Sequence, residues 1–256
     1  MKFGICTGVE NAALLKKIGY DYFEPGFANF GKMTDDEYKS FCDEVAKAGI
    51  KPEATNLMLP GTTYRIVGEE VDLAPVKDFL ELCFARAAGI GCETVVFGSS
   101  GAKKVPDGFD RAKAYDQIED YLRLAAPIAQ NNNITIAIEP LRFAECNIIN
   151  FVAEAAYMAA RVDHPYVRVL GDYYHIAMNR EDCEALPAFA HRLEHMHIAR
   201  NGNRAYPLPG DGCDYAVFMN ALKQAGYRKR VSIEGKAENG LEADADKALE
   251  LLKSLD

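Results

Sequence analysis

The sequence predicts a single (β/α)8 TIM barrel of the α/β class, filling residues 1–256 as one domain. Two observations predict it. Short runs suited to strands alternate with longer stretches of helical spacing from one end of the chain to the other, eight of each, at about 32 residues per unit, which is the count and size of such a barrel. No linker or low-complexity segment interrupts the alternation.

The predicted strands are Lys2–Cys6, Tyr22–Glu24, Pro52–Leu57, Thr94–Gly98, Asn133–Glu139, Val167–Asp172, His195–Ile198 and Val231–Glu234. Between them, apolar residues recur three and four apart: Leu73, Val76, Leu80, Cys83, Phe84 and Ala87 in one segment, and Tyr115, Ile118, Leu122, Ala125 and Ala129 in another. Tyr215, Phe218, Met219 and Leu222 repeat the pattern, as do Ala245, Ala248, Leu249 and Leu252. Gly19, Gly49, Gly89 and Gly226 follow such segments and are expected to end helices. A doubly wound open sheet is the competing architecture, and the lack of G-x-G-x-x-G after the first strand weakens it.

A net charge of −9 makes the chain a poor partner for nucleic acid or anionic membranes. No apolar run reaches the length of a membrane span, and MKFGICTGVE lacks the features of a secretory leader, so a cytoplasmic protein is expected. Seven dispersed cysteines without a C-x-x-C pair are expected to be reduced.

Strand parity then orients the side chains. In Asn133-Ile-Thr-Ile-Ala-Ile-Glu139 the isoleucines share the face toward the helices, and Thr135, Ala137 and Glu139 face the barrel interior. Ser232 and Glu234 point inward by the same rule, and His195 and His197 share a face. Strands five to eight therefore end in Glu139, Asp172, His197 and Glu234, which converge on the C-terminal mouth where barrels build active sites. One polar residue at a strand end means little. Four metal-binding types on consecutive strands, all inward, point to one divalent cation. Three carboxylates with one imidazole suit Mn2+, Mg2+ or Co2+ better than a thiolate-rich zinc site.

The segment Glu139-Pro-Leu-Arg-Phe-Ala-Glu145-Cys-Asn147-Ile-Ile-Asn150 resembles E-P-L-N-R-F-E-T-N-x-x-N of ketose 3-epimerases, lacking their first Asn but keeping the Glu139-to-Glu145 spacing. Asp172-Tyr-Tyr-His175 resembles their D-x-x-H, His195-Met-His197 their H-x-H, and Asn203-Arg204 with Pro209-Gly-Asp-Gly212 their N-R…P-G-x-G loop. Ser232-Ile-Glu234 is similar to their final strand. The whole is similar to the xylose-isomerase-like barrel superfamily, nearest its D-tagatose/D-psicose 3-epimerase and hydroxypyruvate-isomerase branches. The resemblance implies Glu139, Asp172, His197 and Glu234 as metal ligands, with Mn2+ first among the candidates. It implies Glu139 and Glu234 as the acid/base pair, and Glu145, His175 and Arg204 as substrate-binding residues. It further implies epimerisation or isomerisation of an unphosphorylated keto sugar or polyol-derived ketone through a metal-bound cis-enediolate, and a homo-oligomer. The chain has no Trp, which the sugar epimerases usually place in the pocket, so Tyr173, Tyr174, Phe27, Phe97 and Tyr206 are candidates for a different wall.

Other residues receive plainer expectations. His195, one layer deeper than His197, is expected to be a hydrogen-bonded core residue. His164 should serve a turn at the opposite end, and His191 a helix C-terminus. Glu53 and Asn56 are polar residues around strand three with a weaker case for substrate contact. Cys6 lies near the mouth without an evident base partner. Gly61-Thr-Thr-Tyr-Arg-Ile-Val-Gly68 is expected to form a mobile cover.

A lyase acting on keto-inositols or dehydroshikimate-like ketones is the alternative activity, since it shares the enolate step. The DNA-repair endonuclease branch needs several more histidines and a basic face, against five histidines and a charge of −9 here. A non-enzymatic sugar-binding subunit would be expected to lose one of the two glutamates, and both are present.

Overall fold

The structure, a computed structural model, describes residues 1–61 and 63–256. Eight strands form one parallel sheet: β1 (Lys2–Cys6), β2 (Tyr22–Glu24), β3 (Ala54–Thr55), β4 (Thr94–Phe97), β5 (Thr135–Ile138), β6 (Val167–Asp172), β7 (Leu193–Ile198) and β8 (Arg230–Ile233). Their order, β2-β1-β8-β7-β6-β5-β4-β3, runs around a cylinder. Parallel bridges from Tyr22 to Lys51 and from Gly26 to Asn56 bring the two remaining edges together, so the barrel is nearly closed. β3 is shorter than the predicted Pro52–Leu57. Pro52 has no N–H to give a ladder, and Leu57 leaves the extended region with φ 52°. Glu139 and Glu234 stand one residue beyond β5 and β8, on the loops leaving the barrel.

The helices are α1 (Ala12–Ile18), α2 (Asp35–Ala48), α3 (Ala74–Gly89), α4 (Ser100–Lys103), α5 (Arg111–Asn131), α6 (Val152–Val162), α7 (Tyr173–Met178), α8 (Tyr215–Gln224) and α9 (Leu241–Leu255). The β6–β7 crossover is the irregular one, with α7 followed by a 3-10 helix over Cys183–Arg192. α2 begins with a capping box between Thr34 and Glu37, which satisfies the first free N–H groups. Gly19, Gly49 and Gly226 take positive φ after their helices, as predicted. Gly89 does not: it is the last residue of α3, and Gly91 makes the left-handed turn. Its lack of a side chain answers to space, because a Cβ there would lie 2.6 Å from the Tyr38 hydroxyl, which donates to the Arg86 carbonyl.

The periodic helical residues named above are buried against the sheet, apart from the half-buried Leu73 and Tyr115. Strand parity is borne out. Ile134, Ile136 and Ile138 pack in the shell between sheet and helices, whereas Val96, Ala137 and Leu170 form a separate cluster inside the barrel. At the floor, the buried Arg230 guanidinium reaches Glu93, Glu53 and Thr94. Glu53 also pairs with Lys2, at 2.7 Å. Glu53 is therefore a floor residue, away from the mouth, because it precedes β3 rather than following it. His164 accepts from the Tyr166 N–H in the turn before β6, as expected, and His191 lies in the last turn of the 3-10 helix.

In the expected 61–68 cover, Thr62 lies outside the described residues. The end of that segment is docked rather than free. Ile66 and Val67 are buried, Ile66 N–H donates to the Ala102 carbonyl, and Gly68 exchanges two hydrogen bonds with the Gln117 amide.

Interior packing gives a direct test of parity. Ala137→Leu adds volume to the small cluster inside the barrel and is expected to cost about 1–3 kcal/mol in urea unfolding. A neutral result would place Ala137 on the wrong face.

Candidate active site and metal centre

Four donor side chains meet at the mouth. One oxygen or nitrogen from each of Glu139, Asp172, His197 and Glu234 lies within 4.8 Å of every other, and the first three residues are buried. The sheet sets this convergence: Asp172 of β6 pairs in register with His197 of β7, which pairs with Ser232 of β8.

Each donor is held by its own partners. Asp172 caps α7, its Oδ1 accepting from Tyr174 N–H at 2.8 Å, while its buried Oδ2 has no hydrogen-bond partner among the described residues. Glu139 is fixed through its main chain: its N–H donates to the Phe97 carbonyl, and its carbonyl accepts from the wholly buried Lys103 ammonium at 2.9 Å. Gly98 makes room for the Glu139 carboxylate, since a Cβ there would collide with it.

His197 works on two sides. Its Nδ1 faces Glu234 at 3.2 Å and Glu139 at 3.3 Å, and its Nε2 faces Glu24 Oε1 at 3.0 Å. The other Glu24 oxygen accepts from His195 Nε2 at 2.8 Å and from Ser232 Oγ, which also meets the Tyr22 hydroxyl. His195 is thus the buried, hydrogen-bonded core residue that parity suggested. Cys6 does have a basic neighbour: its Sγ is 3.9 Å from His197 Nε2, so the expectation of no partner is corrected.

The predicted substrate-binding residues lie at the rim of the same cluster. His175 Nδ1 accepts from Arg142 N–H at 3.1 Å, so its Nε2 carries the proton, aimed toward Asp172 at 3.5 Å and Glu139 at 3.9 Å. Arg204 bonds Glu234 and approaches Glu145 at 3.5 Å and Asp172 at 3.8 Å. Its backbone holds φ 53°, and the loop sits so close to β8 that a Cβ on Gly235 would come within 2.8 Å of the Arg204 carbonyl. Asn147 and Asn150 are structural. Asn147 exchanges two hydrogen bonds with Val105, and Asn150 binds the Leu141 and Cys146 carbonyls.

Burial favours the neutral form of each acid, and the neighbours then split them. Glu139 and Asp172 stay raised, Glu139 further by the Glu234 charge. For Glu234, His197 and Arg204 outweigh burial and hold the carboxyl below its usual range. For Glu24, His197 and His195 do the same. Burial alone would lower His197, but Glu24, Cys6 and Glu234 raise it. Burial lowers His175.

These donors fit a cation. Oxygen donors with one nitrogen, a buried carboxylate oxygen left unpartnered, and an imidazole whose far nitrogen is turned to a carboxylate are the features of a divalent-metal site.

The profile of the Xylose isomerase-like TIM barrel family matches residues 12–255. The chain belongs to that family. It is 29% identical over 133 residues to 3-dehydro-D-guloside 4-epimerase of Escherichia coli, a match spanning half of each chain. It is 25% identical over 239 residues to D-psicose 3-epimerase of Agrobacterium fabrum, covering 88% of this chain and 78% of the relative. D-psicose 3-epimerase of Clostridium cellulolyticum, solved with D-tagatose, superposes with a TM-score of 0.87 at 17% identity, covering 100% of this chain and 99% of that one. This last match speaks for the fold.

Glu24, Lys103 and Arg142 were not among the predicted site residues. Glu24 was legible: it ends strand two on the inward face. Lys103 had no signal, because a lysine in a Ser-Gly-Ala-Lys turn gives no sign of burial. Glu24 is expected to turn His197 for metal binding. Glu24→Gln should weaken Mn2+ binding by roughly 10–100-fold in calorimetry with little change in thermal stability. Unchanged affinity would show that His197 needs no such partner.

Proposed function

We propose that this chain is a metal-dependent epimerase or isomerase of an unphosphorylated keto sugar or related ketone. The observation that carries the reading is the pair Glu139 and Glu234, both converging on His197 Nδ1 from strands separated by β6 and β7, inside a four-donor cluster. The relatives named above as sugar epimerases support it.

Glu139, Asp172, His197 and Glu234 would hold one divalent ion, Mn2+ first, with Mg2+ or Co2+ as substitutes. When bound, that ion supplies a Lewis acid that favours negative charge on the substrate oxygens. The protein supplies the rest. Arg204 and the His175 Nε2–H present donors to substrate oxygens, and Glu145 accepts from a hydroxyl. One glutamate of the pair removes the proton beside the carbonyl, giving an enediolate. The other glutamate, protonated at the start, gives its proton from the opposite face, so the configuration inverts, and the pair resets by proton exchange with solvent. A lyase acting on keto-inositols would use the same first step and differ in losing a hydroxyl afterwards.

Asp172→Asn and His197→Ala should lose bound metal while the fold survives, measured by elemental analysis and circular dichroism. Full occupancy in both would sink the ligand assignment. Glu139→Gln and Glu234→Gln should lower kcat by about 10²–10⁴-fold or more, with a far smaller effect on metal affinity. Turnover of D-psicose or D-tagatose in deuterated solvent should leave one carbon-bound deuterium in the product. Product without solvent deuterium would instead indicate a hydride shift.

A further inference from the structure

We propose that Arg142 is a positioning residue for this reaction, one that sets the rim against which substrate lies; the proposal rests on the reading above for its kinetic consequences only. The first Asn of the ketose epimerase pattern is missing from this segment, and the resemblance assigned Arg142 no role.

Arg142 is linked to every predicted substrate-binding residue, to Glu145 by its side chain, to His175 by its backbone N–H, and to Arg204 through Glu145 and Tyr174. Arg142 Nε donates to Glu145 Oε1 at 2.6 Å, and Arg204 Nη1 lies 3.5 Å from Glu145 Oε2, so one carboxylate bridges two guanidiniums through different oxygens. Both cations also lie over one ring: Arg142 Cζ is 5.1 Å and Arg204 Cζ 5.0 Å from the Tyr174 centroid. The backbone N–H of the same residue fixes the His175 tautomer. Glu145, Arg204 and His175 are thus located relative to one another through Arg142 and Tyr174.

The chemistry explains why an arginine serves. Arg204 faces a competition, since Glu145 and Glu234 are both within its reach. A carboxylate with no other partner would draw Arg204 away from Glu234. Arg142 satisfies Glu145 from the far side and leaves Arg204 divided between the two. A planar guanidinium can stack on Tyr174 and donate sideways to Glu145 at once, which an ammonium cannot do. The Arg142–Glu145 pair is partly exposed, so its worth to stability is small and its value lies in placement.

Two measurements test this. The first needs no substrate: in crystals of Arg142→Met, Glu145 is expected to turn onto Arg204 or into solvent. A Glu145 carboxylate left in place would overturn the proposal. The second uses Mn2+-loaded protein with D-psicose and D-tagatose. Arg142→Met should raise KM about tenfold, change kcat much less, and leave Mn2+ affinity unaltered, with Arg142→Lys recovering only part of the loss. In a Glu145→Gln background the Arg142→Met effect should largely vanish, because the residue it positions is already changed. Additive losses, or a loss of metal, would show Arg142 acting on its own or through the fold. If no ketose is turned over by the wild type, the functional reading fails, and the position of Glu145 in the crystals still decides the role of Arg142.

Discussion

Three carboxylates brought into one buried volume are the constraint on which this structure turns. At the 4.8 Å limit separating their donor atoms, like charges repel by about 3–4 kcal/mol per pair at an effective dielectric near 20. Three such pairs rival the whole stability of an ordinary domain. The chain answers with compensation from several directions. Arg204 leans on Glu234, His197 sits between Glu139 and Glu234, and Lys103 is buried beneath the Glu139 main chain. Even so, one Asp172 oxygen remains unpartnered. An arrangement this costly, held open by so many separate devices, supports the proposed reading of a cation at its centre.

The compensation is layered, and the layers have different jobs. Glu24 lies beneath the cluster and accepts a hydrogen bond from each of two histidines and one from Ser232, so it is itself fully engaged. That leaves the Nδ1 face of His197 as the side turned to the mouth. Strands supply these lower groups because a register between neighbours fixes their depth. The upper groups, Glu145, His175 and Arg204, come from loops and the short α7, and they are ordered by the Arg204–Glu145 contact and by Arg142, which bonds Glu145 and His175. The barrel therefore dictates where the reacting atoms meet, while the loops dictate what may approach them.

Most of this was legible from residue order. Eight alternating units gave the barrel, and the period of two in strand five separated Ile136 from Ala137, which the structure places on opposite faces. The same parity, carried to the ends of strands five to eight, brought the four donors together. What was not legible depends on distance across the barrel. Parity turns Glu24 inward, but its pairing with His197, 173 residues away, is marked by no periodicity. Gly89 carries the sequence mark of a helix end, yet its small size serves the Tyr38 hydroxyl of another helix. Glu53 carried only a weaker case for substrate contact, and it lies at the floor just before β3, beside Arg230.

The close approaches at the mouth carry the same lesson toward function. Gly98 and Gly235 are both small for lack of space: one beside the Glu139 carboxylate, the other against the Arg204 carbonyl. Each places a loop group against the end of a strand with no intervening side chain. On the proposed reading, two proton-handling groups and an oxygen-binding clamp must keep a fixed relation while substrate comes and goes. Close backbone approaches contribute to that relation beside the side-chain contacts of Arg142, Glu145 and Arg204. The positive φ at Arg204 belongs to this economy, since the neighbouring hydrogen bonds from Arg204 N–H to the Arg200 carbonyl and from Lys236 N–H to the Arg204 carbonyl hold a conformation that a free loop would relax.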